Sequence, residues 1–146
     1  MIKITALFMI IIPTLLTTGA SAVAWSKLGL SINEIEHKRG GEICVYVFLK
    51  DGFPVDHDKS LKKFCYEATQ SNIQIEIPVP NFPFAIKIHH DEDISGTVTK
   101  DWTGIFPAEG LGFSSGAQLG FGTPSFDDAV MTLPIDGKIS IYIIYP

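Results

Sequence analysis

The chain has 146 residues, a formal net charge of −5, two cysteines and 11% aromatic residues. That length buries one core and is too short for two ordinary domains. The acidic balance comes with no basic stripe and no interleaving of basic and aromatic residues, which excludes nucleic acid and anionic membrane surfaces as expected partners.

Residues 1–22 read as a secretory signal peptide. Lys3 supplies the charged start, Ala6 to Leu16 the apolar run, and Ala20-Ser21-Ala22 the small-residue cleavage site. The apolar run is about a dozen residues and contains Pro13, whereas a bilayer span needs roughly 20, so no membrane span is expected after cleavage. Residues 23–146 then form a single exported domain, periplasmic or extracellular. Export makes Cys44 and Cys65 a candidate disulfide. It would close a loop of about twenty residues, worth roughly 3 kcal/mol in the chain-entropy model. The alternative is two buried thiols in neighbouring strands. Two cysteines without a matched histidine pair give no zinc site.

Along the mature chain, Leu28, Leu30 and Ile32 alternate with small or polar residues, and the period of two predicts a strand. The run Glu42 to Lys50 is richer in apolar residues and reads as a central strand covered on both faces, with Leu61 to Thr69 a weaker strand. Alternation returns at Ile73, Ile75, Ile77 and Val79, at Phe84, Ile86 and Ile88, and at Ile139, Ile141 and Ile143. Ala129 to Leu133 is read as a further short strand. Pro78, Pro80 and Pro83 belong to strand ends or edges, because proline cannot donate to a ladder. No stretch sustains the spacing of an amphipathic helix over three turns. About seven strands separated by turns such as Asp51-Gly52 and Asp136-Gly137 predict an all-β, antiparallel Greek-key sandwich.

The segment from Asp91 to Asp128 carries no strand pattern of its own. Trp102, Ile105, Phe106, Leu111, Phe113, Leu119, Phe121 and Phe126 supply apolar anchors, and its glycines allow tight folding, so a long ordered loop is predicted and function is sought there. Asp91-x-Asp93-x-Ser95-Gly96-Thr97 matches the start of a calcium loop, in which oxygens at alternate positions converge on one hard cation. The candidate calcium ligands are Asp91, Asp93, Ser95 and the Thr97 carbonyl, with Asp101 substituting for the glutamate that such loops carry last. The competing reading is an acidic turn held by its own hydrogen bonds. Gly112-Phe113-Ser114-Ser115-Gly116 fits G-x-S-x-G, but no strand-to-helix turn on a parallel sheet is predicted to present Ser114. His89 and His90 point to opposite faces of a strand and read as structural. Asp56-His57-Asp58 reads as a solvated loop, and Glu109 has no identifiable carboxylate partner. Trp102, Phe106, Phe113 and Phe121 either line a ligand groove or pin the loop to the sheet.

Three stretches resemble domain of unknown function 2141, a family of exported bacterial proteins. They are Phe84-Ala85-Ile86 running into His90-Asp91-Glu92-Asp93, then Gly104 to Ser114 including Glu109, Gly110, Gly112 and Phe113, then Thr123-Pro124-Ser125-Phe126-Asp127-Asp128-Ala129. Family members usually differ at Phe84, Asp93, Ser95 and Thr99, and the last three differences alter the would-be cation loop. The resemblance implies a signal peptide and a prealbumin-like or immunoglobulin-like sandwich, with no known activity. The expected function is an exported binding or structural module for an unidentified ligand or envelope partner, with calcium as a candidate stabiliser and no catalysis. The alternatives are a secreted hydrolase using the 104–128 loop and a purely architectural envelope protein.

Overall fold

A computed structural model describes residues 22–146 of the chain. The leader assigned to residues 1–22 therefore lies outside the described residues, Ala22 excepted. No helix among the described residues is long and apolar enough to cross a membrane.

Among the described residues seven strands form two sheets. In chain order they are β1 (Trp25–Asn33), β2 (Glu42–Phe48), β3 (Lys62–Glu67), β4 (Ile73–Pro80), β5 (Ala85–Asp91), β6 (Leu111–Phe113) and β7 (Lys138–Tyr142). The smaller sheet runs β4-β1-β7 and the larger β3-β2-β5-β6. All pairings are antiparallel except that of β1 with β7. The alternating apolar residues do what their period predicts. Leu28, Leu30 and Ile32 of β1, Ile77 and Val79 of β4 and Ile141 of β7 share one core with Ile43, Val45 and Val47 of β2 and Ile86 and Ile88 of β5. Cys44 lies directly across from Cys65 in the β2–β3 ladder, with Cα atoms 4.1 Å apart, and the two form a disulfide.

Two elements depart from the sequence reading. Ala129–Leu133 is not a strand: Phe126–Ala129 is a single helical turn, α1, and Met131 touches the sheet only through an isolated bridge to Phe84. Ser125 explains the difference, since its hydroxyl accepts the Asp128 N–H while the Asp128 carboxylate accepts the Ser125 N–H, a reciprocal cap that favours helix. The strand that completes the larger sheet is instead β6, inside the 91–128 segment.

The larger sheet is covered on its outer face as well. Residues of β2 and β5 on that face are buried like those facing the core, because the 49–61 connection and the long segment after Asp91 fold across them. Phe48 meets Phe53, and Phe53 meets both Phe113 and Phe126 edge-on, with ring centroids 5.6, 6.1 and 5.9 Å apart. This aromatic cluster closes one end of the outer face; the other end is polar.

Candidate functional site

At the polar end β5 presents Lys87, His89 and Asp91 to the outer face, where period two places them beside Tyr46 and Cys44 of β2. Charged groups are buried here only when something satisfies them. Glu109, 3% exposed and two residues before β6, accepts three hydrogen bonds: from His89 Nε2 at 2.7 Å, from the Glu92 N–H at 2.9 Å and from the Thr99 N–H at 2.8 Å. Asp91 accepts the Ser95 N–H at 2.9 Å and the Gly96 N–H at 2.8 Å. Two buried carboxylates thus hold five groups, four of them backbone N–H groups of the long segment. Burial lowers the basicity of His89, the Glu109 carboxylate opposing it. With Nε2 donating to Glu109, Nδ1 is an acceptor, and it is buried without a partner, as is the Tyr46 hydroxyl. Burial pushes the Tyr46 phenol up to about 12.

Lys87 is 3% exposed and touches no carboxylate. Its Nζ donates to the Pro54 carbonyl at 2.9 Å and to His57 Nε2 at 2.8 Å. His57 is fixed from both ends: Nδ1 donates to the Gly96 carbonyl at 3.0 Å, which leaves Nε2 as the acceptor, and the ring stacks on Tyr46 at 4.0 Å between centroids. Burial and then the neighbouring Lys87 charge bring His57 down to about 4. Burial brings Lys87 down to about 8, against the attraction of Glu109. A desolvated lysine beside a neutral imidazole makes this corner of the outer face a candidate site.

Lys87 and His57 sit on a cleft of about 520 Å³. Its walls include Val98, Ile105 and Phe106 on one side and Leu119 and Phe121 on the other, while Asp56, Asp58 and Lys100 stand at it as exposed charges. The volume falls in the range of small-molecule pockets, roughly 300–1,000 Å³. The first wall comes from an arm closed by the Ala108 N–H to the Thr99 carbonyl and the Asp101 N–H to the Phe106 carbonyl, both 2.8 Å.

Most residues singled out from the sequence hold the scaffold. Asp91, Asp93, Ser95 and Thr97 come together in one turn. Asp93 accepts Ser95 N–H and Thr99 Oγ1, and the Ser95 hydroxyl donates to the Thr97 carbonyl. The hydroxyls of Ser95 and Thr99 hold the Asp93 carboxyl down at about 2. Asp101 does not join this group: its carboxylate turns to the N–H and hydroxyl of Thr103 in the arm. Among the described residues, the acidic group that does gather here with ligand-type atoms within 4.8 Å is His89, Asp91 and Glu109, whose hydrogen bonds are given above.

Ser114 is buried, accepts the Ile86 N–H at 2.9 Å and donates to the Ala129 carbonyl at 2.5 Å, tying β5 to α1. A side chain at Gly110 would collide with the Tyr145 ring, and one at Gly112 would sit 2.7 Å from the Tyr142 carbonyl oxygen, so both glycines allow β6 to lie against the C-terminal segment. Pro124 is buried beside the Ser125 cap, Phe126 and Phe113 pack on Phe53, and Ala129 is fully buried. The two readings of the aromatic residues both apply: Phe113 packs on Phe53 and also borders the cleft, Phe106 and Phe121 line it, and Trp102 stands in solvent at 96% exposure. His90 faces the opposite way from His89 and bonds Tyr145 Oη and the Gly40 carbonyl, each at 2.6 Å. Sequence reasoning missed Lys87 altogether and left His57 as part of a solvated loop.

Two outcomes follow. Glu109→Ala strands three donors in a buried place and is expected to cost about 3–5 kcal/mol; urea unfolding measures it, and hydrogen exchange should speed up at the Glu92 and Thr99 amides first. Lys87 binds its proton less tightly when folded than its ordinary value of 10.5. The native state is therefore penalised below pH 8 and relieved as pH rises from about 8 towards 10.5. Wild-type stability should climb relative to Lys87→Met across that window, by up to about 3 kcal/mol; denaturant midpoints of the pair at both ends of the window would show it.

A family model described as an uncharacterized protein conserved in bacteria (DUF2141) matches residues 30–141. Neither the curated proteins nor the solved structures yield a match. With most of the chain covered, and with Asp91, Glu109, Gly112 and Ser114 inside the match, the chain belongs to this family of uncharacterized bacterial proteins.

Proposed function

We propose that this protein is an exported binding module, periplasmic or extracellular, whose ligand site is the cleft between the arm carrying Phe106 and the segment carrying Phe121. The carrying observation is the cleft itself: an apolar-walled concavity with a small set of oriented polar groups at Lys87 and His57. The charged start, apolar run and small-residue site within residues 1–22 support export, as does the Cys44–Cys65 pair. The strand order supports a prealbumin-like sandwich over an immunoglobulin-like one, because an immunoglobulin domain would place the first, second, fifth and fourth strands in one sheet, whereas here β2 and β5 pair in the sheet opposite β1 and β4. Ser114, spent on Ile86 and Ala129, supports binding over hydrolysis.

The test uses the neutral dye N-phenyl-naphthylamine, which brightens in apolar surroundings. It should bind residues 23–146 saturably, and Phe106→Ser or Phe121→Ser, both at exposed wall positions, should weaken binding about tenfold or more at unchanged stability. Binding that ignores both changes would remove the cleft as the site.

In this reading the Asp91–Thr97 turn closes on its own hydrogen bonds and needs no calcium. The melting midpoint should be the same in calcium and in excess chelator. A saturable rise that Asp91→Asn abolishes would restore the turn as a cation site.

A further inference from the structure

We infer that the cleft takes a small carboxylic acid with an apolar body, its carboxylate received by the Lys87 ammonium and its body lying between Phe106 and Phe121. This rests on the cleft being the ligand site and adds what the ligand must carry.

Tetrahedral nitrogen in an ammonium has three N–H bonds. In Lys87 two are taken, by the Pro54 carbonyl and by His57 Nε2, and both acceptors are neutral. The third N–H has no protein acceptor and no carboxylate touches the ammonium, although the side chain is all but withdrawn from water. A buried ammonium without a carboxylate is costly, and natural structures supply one or let the group lose its proton. The nearest buried acid, Glu109, is already committed to His89 and two backbone N–H groups. Asp56 and Asp58 also line the cleft, as exposed residues of the 49–61 connection that make no ion pair with Lys87, and Lys100 lines it from the arm. The complement missing from the floor is one negative charge and one acceptor, which a carboxylate provides in a single group. Lys87 lines the cleft together with Val98, Ile105, Phe106, Leu119 and Phe121, so an acid that meets the ammonium there has these apolar walls for its remainder. His57 fixes the direction of approach: its ring is locked by Gly96 and Tyr46 and cannot turn to replace the ligand.

The groups facing Lys87 are Tyr46 from β2, His57 from the connection, His89 on its own strand and Glu109 before β6. With the Tyr46 phenol pushed up to about 12, His57 down to about 4 and His89 lowered by burial, these three keep one charge between pH 7 and 9, so the acid's advantage over that interval follows Lys87.

The experiment is competition against N-phenyl-naphthylamine by phenylbutanoate and by its uncharged isostere phenylbutanamide. At pH 7 the acid is expected to displace the dye at least tenfold more effectively than the amide, and the ratio should fall towards one above pH 9. In Lys87→Met the acid should lose its advantage over the amide. Should that variant fail to fold, Lys87→Gln, which keeps N–H donors toward Pro54 and His57 without the charge, takes its place. If the dye binds but acid and amide compete equally, or the preference persists without Lys87, this inference falls and the cleft stands. If the dye does not bind at all, the cleft reading falls and this inference with it.

Discussion

Three hydrogen bonds converge on the carboxylate of Glu109, and the layer outside the larger sheet depends on them. A long segment without a strand pattern can cover a sheet only if its backbone N–H groups find partners there. Glu109 and Asp91 provide them for Glu92, Ser95, Gly96 and Thr99, and so bring the chain after β5 back across the face it has just left. His89 orients Glu109 in turn. Once the segment is held, β6 can pair with β5, and the Gly96 carbonyl meets His57. The floor of the cleft is a by-product of the clamp that holds its wall.

The conspicuous motifs of the sequence therefore belong to the scaffold. Gly110 and Gly112 permit close approach, Ser114 ties β5 to α1, and Ser125 with Asp128 caps one helical turn. Residues that face the cleft, Phe106, Phe113 and Phe121 apart, are less noticeable: a lysine at the polar position of an alternating strand, a histidine between two aspartates, and apolar residues of loops. A framework that must hold an irregular segment has few chemical solutions, whereas an apolar wall has many.

The core strands were legible because alternation over five or more residues identifies both the strand and its inward face, as at Leu28–Ile32 and Ile139–Ile143. The three residues of β6 are too few to show a period, and its existence depends on the distant Glu109 clamp. Ala129–Leu133 was apolar enough to suggest a strand, while the Ser125-x-x-Asp128 signal that starts a helix preceded it. Lys87 was hidden by its own regularity. A charged residue between Ile86 and Ile88 is what an outward-facing, solvated position looks like, and only the layer that folds over it turns that position into a buried one. His57 carried no local signal, since its role comes from Tyr46, Lys87 and Gly96, which are distant in sequence.

The arm from Thr99 to Ala108 is fastened to the domain at its base, through Thr99 and Glu109, while Trp102, Ile105 and Phe106 stand exposed at its far end. Base and tip are consequently separate units of inheritance. Substitutions at the tip can reshape the apolar wall without disturbing a single buried hydrogen bond, whereas the charged floor is locked into the fold. In the proposed binding role, changes at the tip would alter which apolar bodies fit the cleft while the Lys87 floor kept its preference for a negative head group.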